Sequence, residues 1–125
     1  MRTIRVLVAA LALLSAPLLA ADPPLTALTI EVTNLDGKPL DRISVIVRFL
    51  NARALGKFAK KLPTSWETRT NLKGIVKIPR VPQGKVLVQV IGKGYQTFAQ
   101  EYAVDQPEQK ITVKLNPPQP QYSSH

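Results

Sequence analysis

The sequence contains no cysteine. Neither a disulfide framework nor lipid attachment at a cleavage-site cysteine is therefore open to it, and the fold must rest on its core alone. Histidine occurs once, as His125 at the very end, so the body of the chain has no imidazole to serve as the base of a nucleophilic triad. Ser44, Ser65, Ser123 and Ser124 have no activating partner at the level of sequence. Acidic residues are also few, 8 against 17 basic ones. Glu31, Glu67, Glu101, Asp105 and Glu108 are scattered singly and form no pair that would flank a scissile glycosidic bond. Asn34, Asp36 and Asp41 fall near one turn, but they fall short of the roughly 6 to 8 oxygens that calcium takes. These shortages leave no catalytic, metal or cofactor site in the expectation, and they favour a protein that works by binding.

What is present fits one domain. The chain has 125 residues, 45% hydrophobic and 20% charged, ordinary values for a globular protein with a core. Its first 21 residues differ from the rest: Arg2 and Arg5 precede the apolar run Val6 to Leu14, and small residues close the segment at Ala20-Ala21. That arrangement reads as a secretory signal peptide over 1–21, cleaved after Ala20 or Ala21, which predicts a secreted or periplasmic protein. Residues 22–116 form the domain, and the Pro/Gln-rich 117–125 reads as a disordered tail. The formal charge of +9 becomes +7 once Arg2 and Arg5 are removed. This excess suits anionic surfaces in general. Nucleic acid is the anion that an exported protein meets least.

Period-two alternation dominates the domain. Leu28, Ile30 and Val32 share one face of a first strand, and Ile43, Val45, Val47 and Phe49 one face of a second. Asp36-Gly37 and Pro39 mark the turn between them. Further strands are predicted over Thr64–Thr70, Ile75–Ile78, Val86–Ile91, Gln96–Val104 and Ile111–Leu115. The stretch Thr70 to Tyr95 holds two of these between three glycine-bearing turns, the punctuation of an antiparallel β-protein. Only Leu50 to Leu62 shifts to helical spacing: Leu55, Phe58, Ala59 and Leu62 face away from Arg53, Lys57, Lys60 and Lys61. Gly56 weakens this one short helix, and a covering loop is the other reading. No internal repeat is apparent. Seven short strands without crossover helices predict an all-β, seven-stranded antiparallel β-sandwich of immunoglobulin-like or prealbumin-like form.

The order of these features, with the turns Gly37-Lys38-Pro39-Leu40, Thr70-Asn71-Leu72-Lys73-Gly74 and Val81-Pro82-Gln83-Gly84, the strands Ile43–Val47 and Val86–Val90, and then Gly94-Tyr95, resembles the carboxypeptidase regulatory-like domains. These are transthyretin-like sandwiches with a carbohydrate-binding-like fold. The resemblance spans Leu28 to Leu115 and implies a non-catalytic accessory. Asn71 stands where the family more usually has aspartate, and Val86 where an aromatic is often found. Transthyretin-like hydroxyisourate hydrolases share the general fold and are the remote enzymatic alternative. That comparison implies a histidine in the body and a C-terminal Tyr-Arg-Gly-Ser, whereas this chain ends Tyr122-Ser123-Ser124-His125.

Three surfaces are candidates for binding. Ile46, Ile75, Leu87 and Ile91 lie opposite the inward residues of their strands, where a solvated face would be polar. They would serve docking to an envelope or secreted protein, or self-association. Arg53, Lys57, Lys60 and Lys61 would contact an anionic surface such as lipid. Trp66 with Tyr95 would make a platform for a glycan, against the plainer expectation that both rings pack into the sandwich.

Overall fold

The computed structural model describes residues 24–51 and 63–119, and these form two packed β-sheets. The strands are β1 (Leu25–Thr33), β2 (Ser44–Phe49), β3 (Ser65–Arg69), β4 (Ile75–Pro82), β5 (Gly84–Ile91), β6 (Phe98–Val104) and β7 (Glu108–Lys114). One sheet has the order β4-β1-β7 and the other β3-β2-β5-β6. The seven-strand, two-sheet, all-β architecture is the expected one. The segment expected to be a signal peptide, the 50–62 segment apart from its first two residues, and the end of the tail lie outside the described residues.

Alternation builds the core. Leu28, Ile30 and Val32 of β1, Val76, Ile78 and Val81 of β4, and Ile111 and Val113 of β7 with Leu115 beyond it are buried from one side. Val45, Val47 and Phe49 of β2 with Ile43 before it, Val86, Val88 and Val90 of β5, and Val104 of β6 are buried from the other. Each of these side chains contributes about 1.5–3 kcal/mol on leaving water. The inner faces of packed sheets lie about 10 Å apart, so interdigitated branched aliphatic residues fill the space.

Two features depart from the sequence expectation. First, β7 pairs with β1 in parallel, from Ala27 opposite Glu108 to Thr33 opposite Lys114. The chain reaches β7 from β6 in the other sheet, so no hairpin constrains its direction. Second, β4 continues to Pro82, where sequence had ended it at Ile78. Between the pairs Thr26–Val81 and Leu28–Ile78 the register shifts, so Pro79 and Arg80 together oppose Ala27 alone. This bulge accommodates a proline that cannot donate to the ladder, and it returns Val81 to the core side.

Four strands over three leave the edges of the larger sheet partly uncovered. Thr68 of β3 and Gln100 of β6 face inward by register yet are exposed. Trp66, Phe98 and Tyr102 sit at these same margins, half-buried and packed against the core.

Candidate interaction surfaces

The outward face of the four-stranded sheet gathers three of the four off-phase apolar residues. Ile46 of β2 stands opposite Gln89 of β5. Leu87 and Ile91 lie two positions to either side of Gln89, which makes them diagonal neighbours of Ile46 at about 7 Å. Ile91 is 45% exposed; Ile46 and Leu87 are half-buried. Around them, Arg48 opposes Leu87, Glu67 opposes Ile46 and Glu101 opposes Leu87 on the other side, so the apolar centre has a rim of both charges.

Ile75 does not belong to this group. It begins β4, opposite Glu31 in the three-stranded sheet, and so faces outward on the other side of the sandwich. Its alternation was legible, but the sheet it joins depends on long-range pairing. It lies in an open dent with Leu72, Lys73 and Lys77.

Trp66 and Tyr95 are not brought together. Trp66 faces inward from β3, opposite Val47. Tyr95 precedes β6 at the other side of the same sheet, in a dent with Asn34, Leu35 and Leu115. β2 and β5 lie between β3 and β6, so three strand spacings, about 14 Å, separate those two strands. Trp66 and Tyr95 both pack against the core, the role that large rings take in a small sandwich. Arg53, Lys57, Lys60 and Lys61 lie outside the described residues.

Sequence reading missed the most regular feature of the surface. Asn34-Leu35-Asp36-Gly37-Lys38 and Asn71-Leu72-Lys73-Gly74-Ile75 are the same turn made twice. In the first, the Asn34 side-chain Oδ1 accepts from the N–H groups of Asp36 and Lys38, both at 2.9 Å. In the second, Asn71 Oδ1 accepts from Lys73 and Ile75 at 2.9 and 3.0 Å. Backbone bonds match as well: Gly37 N–H donates to Asn34 O at 3.1 Å and Gly74 N–H to Asn71 O at 2.9 Å, while Asn34 N–H donates to Lys38 O and Asn71 N–H to Ile75 O. The glycines take φ of 86° and 74°, the left-handed conformation that such a turn requires. The shared Asn-Leu-x-Gly pattern was the available signal, too short to register as a repeat. Asn34 Oδ1 is engaged by its turn, which removes one of the three oxygens considered for calcium.

Both turns sit at one end of the sandwich. Val32 N–H donates to Gly74 O at 2.8 Å, and Leu40 N–H donates to Val32 O at 3.1 Å, so the second turn abuts the base of the first. Thr70 fixes the corner between them with four hydrogen bonds. Its hydroxyl donates to Leu40 O at 2.7 Å and accepts from Ile43 N–H at 2.9 Å. Its N–H donates to Ile43 O, and its carbonyl accepts from Arg42 N–H. Arg42 has φ of 60°, a left-handed residue other than glycine that this bond helps to hold.

Burial raises the Tyr102 hydroxyl above the ordinary tyrosine range by penalising the phenolate. Among the described residues no three His, Asp or Glu side chains cluster as ligands, and no helix is long and apolar enough to cross a membrane.

No family model and no curated protein matches the chain. Solved structures do. The 3-chlorocatechol 1,2-dioxygenase from Rhodococcus opacus 1CP aligns with a TM-score of 0.61 at 11% identity, over 76% of this chain and 61% of that one. A streptococcal ancillary pilin aligns with a TM-score of 0.58 at 14% identity, over 78% and 34%. The minor pilin of Streptococcus agalactiae aligns with a TM-score of 0.56 at 16% identity, over 82% and 49%. The chain spans less than two thirds of the length of each. At such identities the likeness is one of fold: a β-sandwich that occurs both in enzymes and in pilins.

Proposed function

We propose that this protein is an exported, non-enzymatic β-sandwich module of regulatory-like type that docks, by the outward face of its four-stranded sheet, onto an envelope or secreted protein. One observation carries the reading: the register places Ile46, Leu87 and Ile91 together on a face that water would otherwise favour filling with polar side chains. An apolar centre with a mixed-charge rim is the anatomy of a protein interface, where the centre supplies affinity and the rim supplies orientation. Arg48, Glu67 and Glu101 are placed to act as that rim. The placement of Trp66 and Tyr95 gives the glycan reading no comparable support.

Crosslinking in whole cells, followed by isolation of the protein, tests the proposal. An Ile46→Ser/Leu87→Ser/Ile91→Ser protein that folds as the wild type does should lose the crosslinked product. Retention of that product would refute the assignment of the face. Conversion of wild type to a dimer in sedimentation, abolished by the same substitutions, would assign the face to self-association instead.

A further inference from the structure

The paired Asn-Leu-x-Gly turns present the same residue at the same position: Leu35 is 54% exposed and Leu72 is 82% exposed. A turn tip is a place for polar and small residues. Single exposed leucines need no explanation. Here two identical, rigidly bonded turns hold two leucines out at the same end of one small domain.

Their surroundings are cationic. Lys38 closes the first turn, Lys73 follows Leu72 in the second, and both are exposed. Lys93 is exposed in the β5–β6 connection at the same end, where Tyr95 lies in one dent with Leu35. Lys77 lines the dent that Leu72 and Ile75 share. The acids at this end are Asp36, Asp41 and, opposite Ile75, Glu31; Asp41 already has Arg42 within 3.9 Å and Glu31 has Lys110 at 3.3 Å. Lysine is a flexible-stemmed cation that can reach a charged layer while its neighbours sink below it.

We propose that this end of the sandwich seats on an anionic lipid surface, with Leu35 and Leu72 entering the boundary between headgroups and acyl chains and Lys38, Lys73 and Lys93 meeting the lipid phosphates. Affinity for such a surface grows with inserted apolar area and with basic residues near the headgroups. Two short prongs and three lysines make a weak, reversible and salt-sensitive contact. The turns are fixed by their own hydrogen bonds before contact, so little ordering cost opposes insertion. β2 ends at Phe49 and β3 begins at Ser65, both at the opposite end of the sandwich, and the other basic candidate, Arg53, Lys57, Lys60 and Lys61, lies between them in sequence and outside the described residues. The two candidates can therefore be tested separately.

The test is co-sedimentation of the protein, in the form that cells accumulate, with vesicles of phosphatidylcholine alone or with phosphatidylglycerol added. Every variant carries the same N-terminus, so differences between variants read the turns. Wild type should partition onto the phosphatidylglycerol vesicles and be released by salt. Leu35→Ser/Leu72→Ser should weaken partition about tenfold per leucine, where tenfold corresponds to about 1.4 kcal/mol. Lys38→Gln/Lys73→Gln/Lys93→Gln should abolish the preference for phosphatidylglycerol. Leu35→Ile/Leu72→Ile, of equal apolar size, should bind as wild type, and melting curves confirm that each variant is folded. Absence of wild-type binding, equal binding to neutral vesicles, or unchanged binding by the serine or glutamine variants would overturn the proposal. So would loss of binding only in Lys57→Gln/Lys60→Gln/Lys61→Gln, or a wild-type dimer that the serine variant breaks without changing vesicle binding.

Discussion

The twin turns provide an internal control for a stability measurement. Gly37 and Gly74 have the same role, nearly the same φ and the same local hydrogen bonds, but different surroundings. A Cβ added at Gly37 meets nothing within 4 Å. One added at Gly74 would lie 2.6 Å from Val32 O, 3.1 Å from Leu40 N and 3.2 Å from Pro39 Cβ. Gly37→Ala therefore bears little beyond the left-handed conformation itself, about 1–2 kcal/mol. Gly74→Ala bears that cost and must also push apart backbone that is hydrogen-bonded on both sides. Weakening the Val32–Gly74 and Leu40–Val32 bonds adds about 0.5–1.5 kcal/mol each, which brings the total to about 2–5 kcal/mol. At about 4–8 °C per kcal/mol for a domain of this size, Gly74→Ala should melt some 8–40 °C below wild type and Gly37→Ala some 4–16 °C below. Urea unfolding of the two variants side by side gives the difference directly. Asparagine tolerates the left-handed region, so Gly37→Asn should recover much of its loss while Gly74→Asn should not. Equal destabilisation by the two alanine substitutions would refute the argument that packing against Val32 and Leu40 distinguishes these turns.

Thr70→Val keeps the side-chain shape but removes the hydroxyl that joins Leu40 O to Ile43 N–H. It should cost about 2–4 kcal/mol because two backbone groups lose their partner, and Thr70→Ser should restore most of it; urea unfolding in which the valine variant matches wild type would refute the pinning role. Tyr102 gives a signed pH dependence. Its folded-state pKa is raised by burial, so its contribution is fully present below the unfolded tyrosine pKa of about 10 and is lost as pH rises through the higher folded value. Alkaline unfolding curves should therefore fall less steeply for Tyr102→Phe than for wild type above that pH, and run parallel below it.

The fold was legible wherever a residue's face is set by its own strand. Ile43, Val45, Val47 and Phe49 declared the inward face of β2 by alternation, and all are buried. Val81 is buried as well, but the bulge at Pro79 and Arg80 that carries it inward was not foreseen. A bulge belongs to a pairing, and the partner Ala27 is remote in sequence. The same limit governed the surface. Alternation showed that Ile46, Ile75, Leu87 and Ile91 point outward, yet only the pairings Ile46–Gln89 and Glu31–Ile75 reveal that three share a face and the fourth does not. The resemblance to regulatory-like domains gave an order of turns and strands that agrees with the sandwich. Leu35 and Leu72 escaped notice for another reason. In sequence each is one apolar residue within a polar turn, and only side-chain capping by Asn34 and Asn71 makes the two positions equivalent.

The two proposed surfaces are independent by geometry. The face holding Ile46, Leu87 and Ile91 runs parallel to the strands, whereas the leucine-tipped turns lie at their ends, so one can be occupied without covering the other. Ile91 is the residue nearest to both, since β5 ends there and leads through Gly92 into the connection that bears Lys93. Substitutions at Ile46 and Leu87 should leave vesicle binding unchanged, and substitutions at Leu35 and Leu72 should leave the protein crosslink unchanged, because distant sites without shared partners act additively. Coupling between the two sets would mean that a partner wraps from the sheet face over the turns, and the end of the sandwich would then belong to the protein interface rather than to lipid.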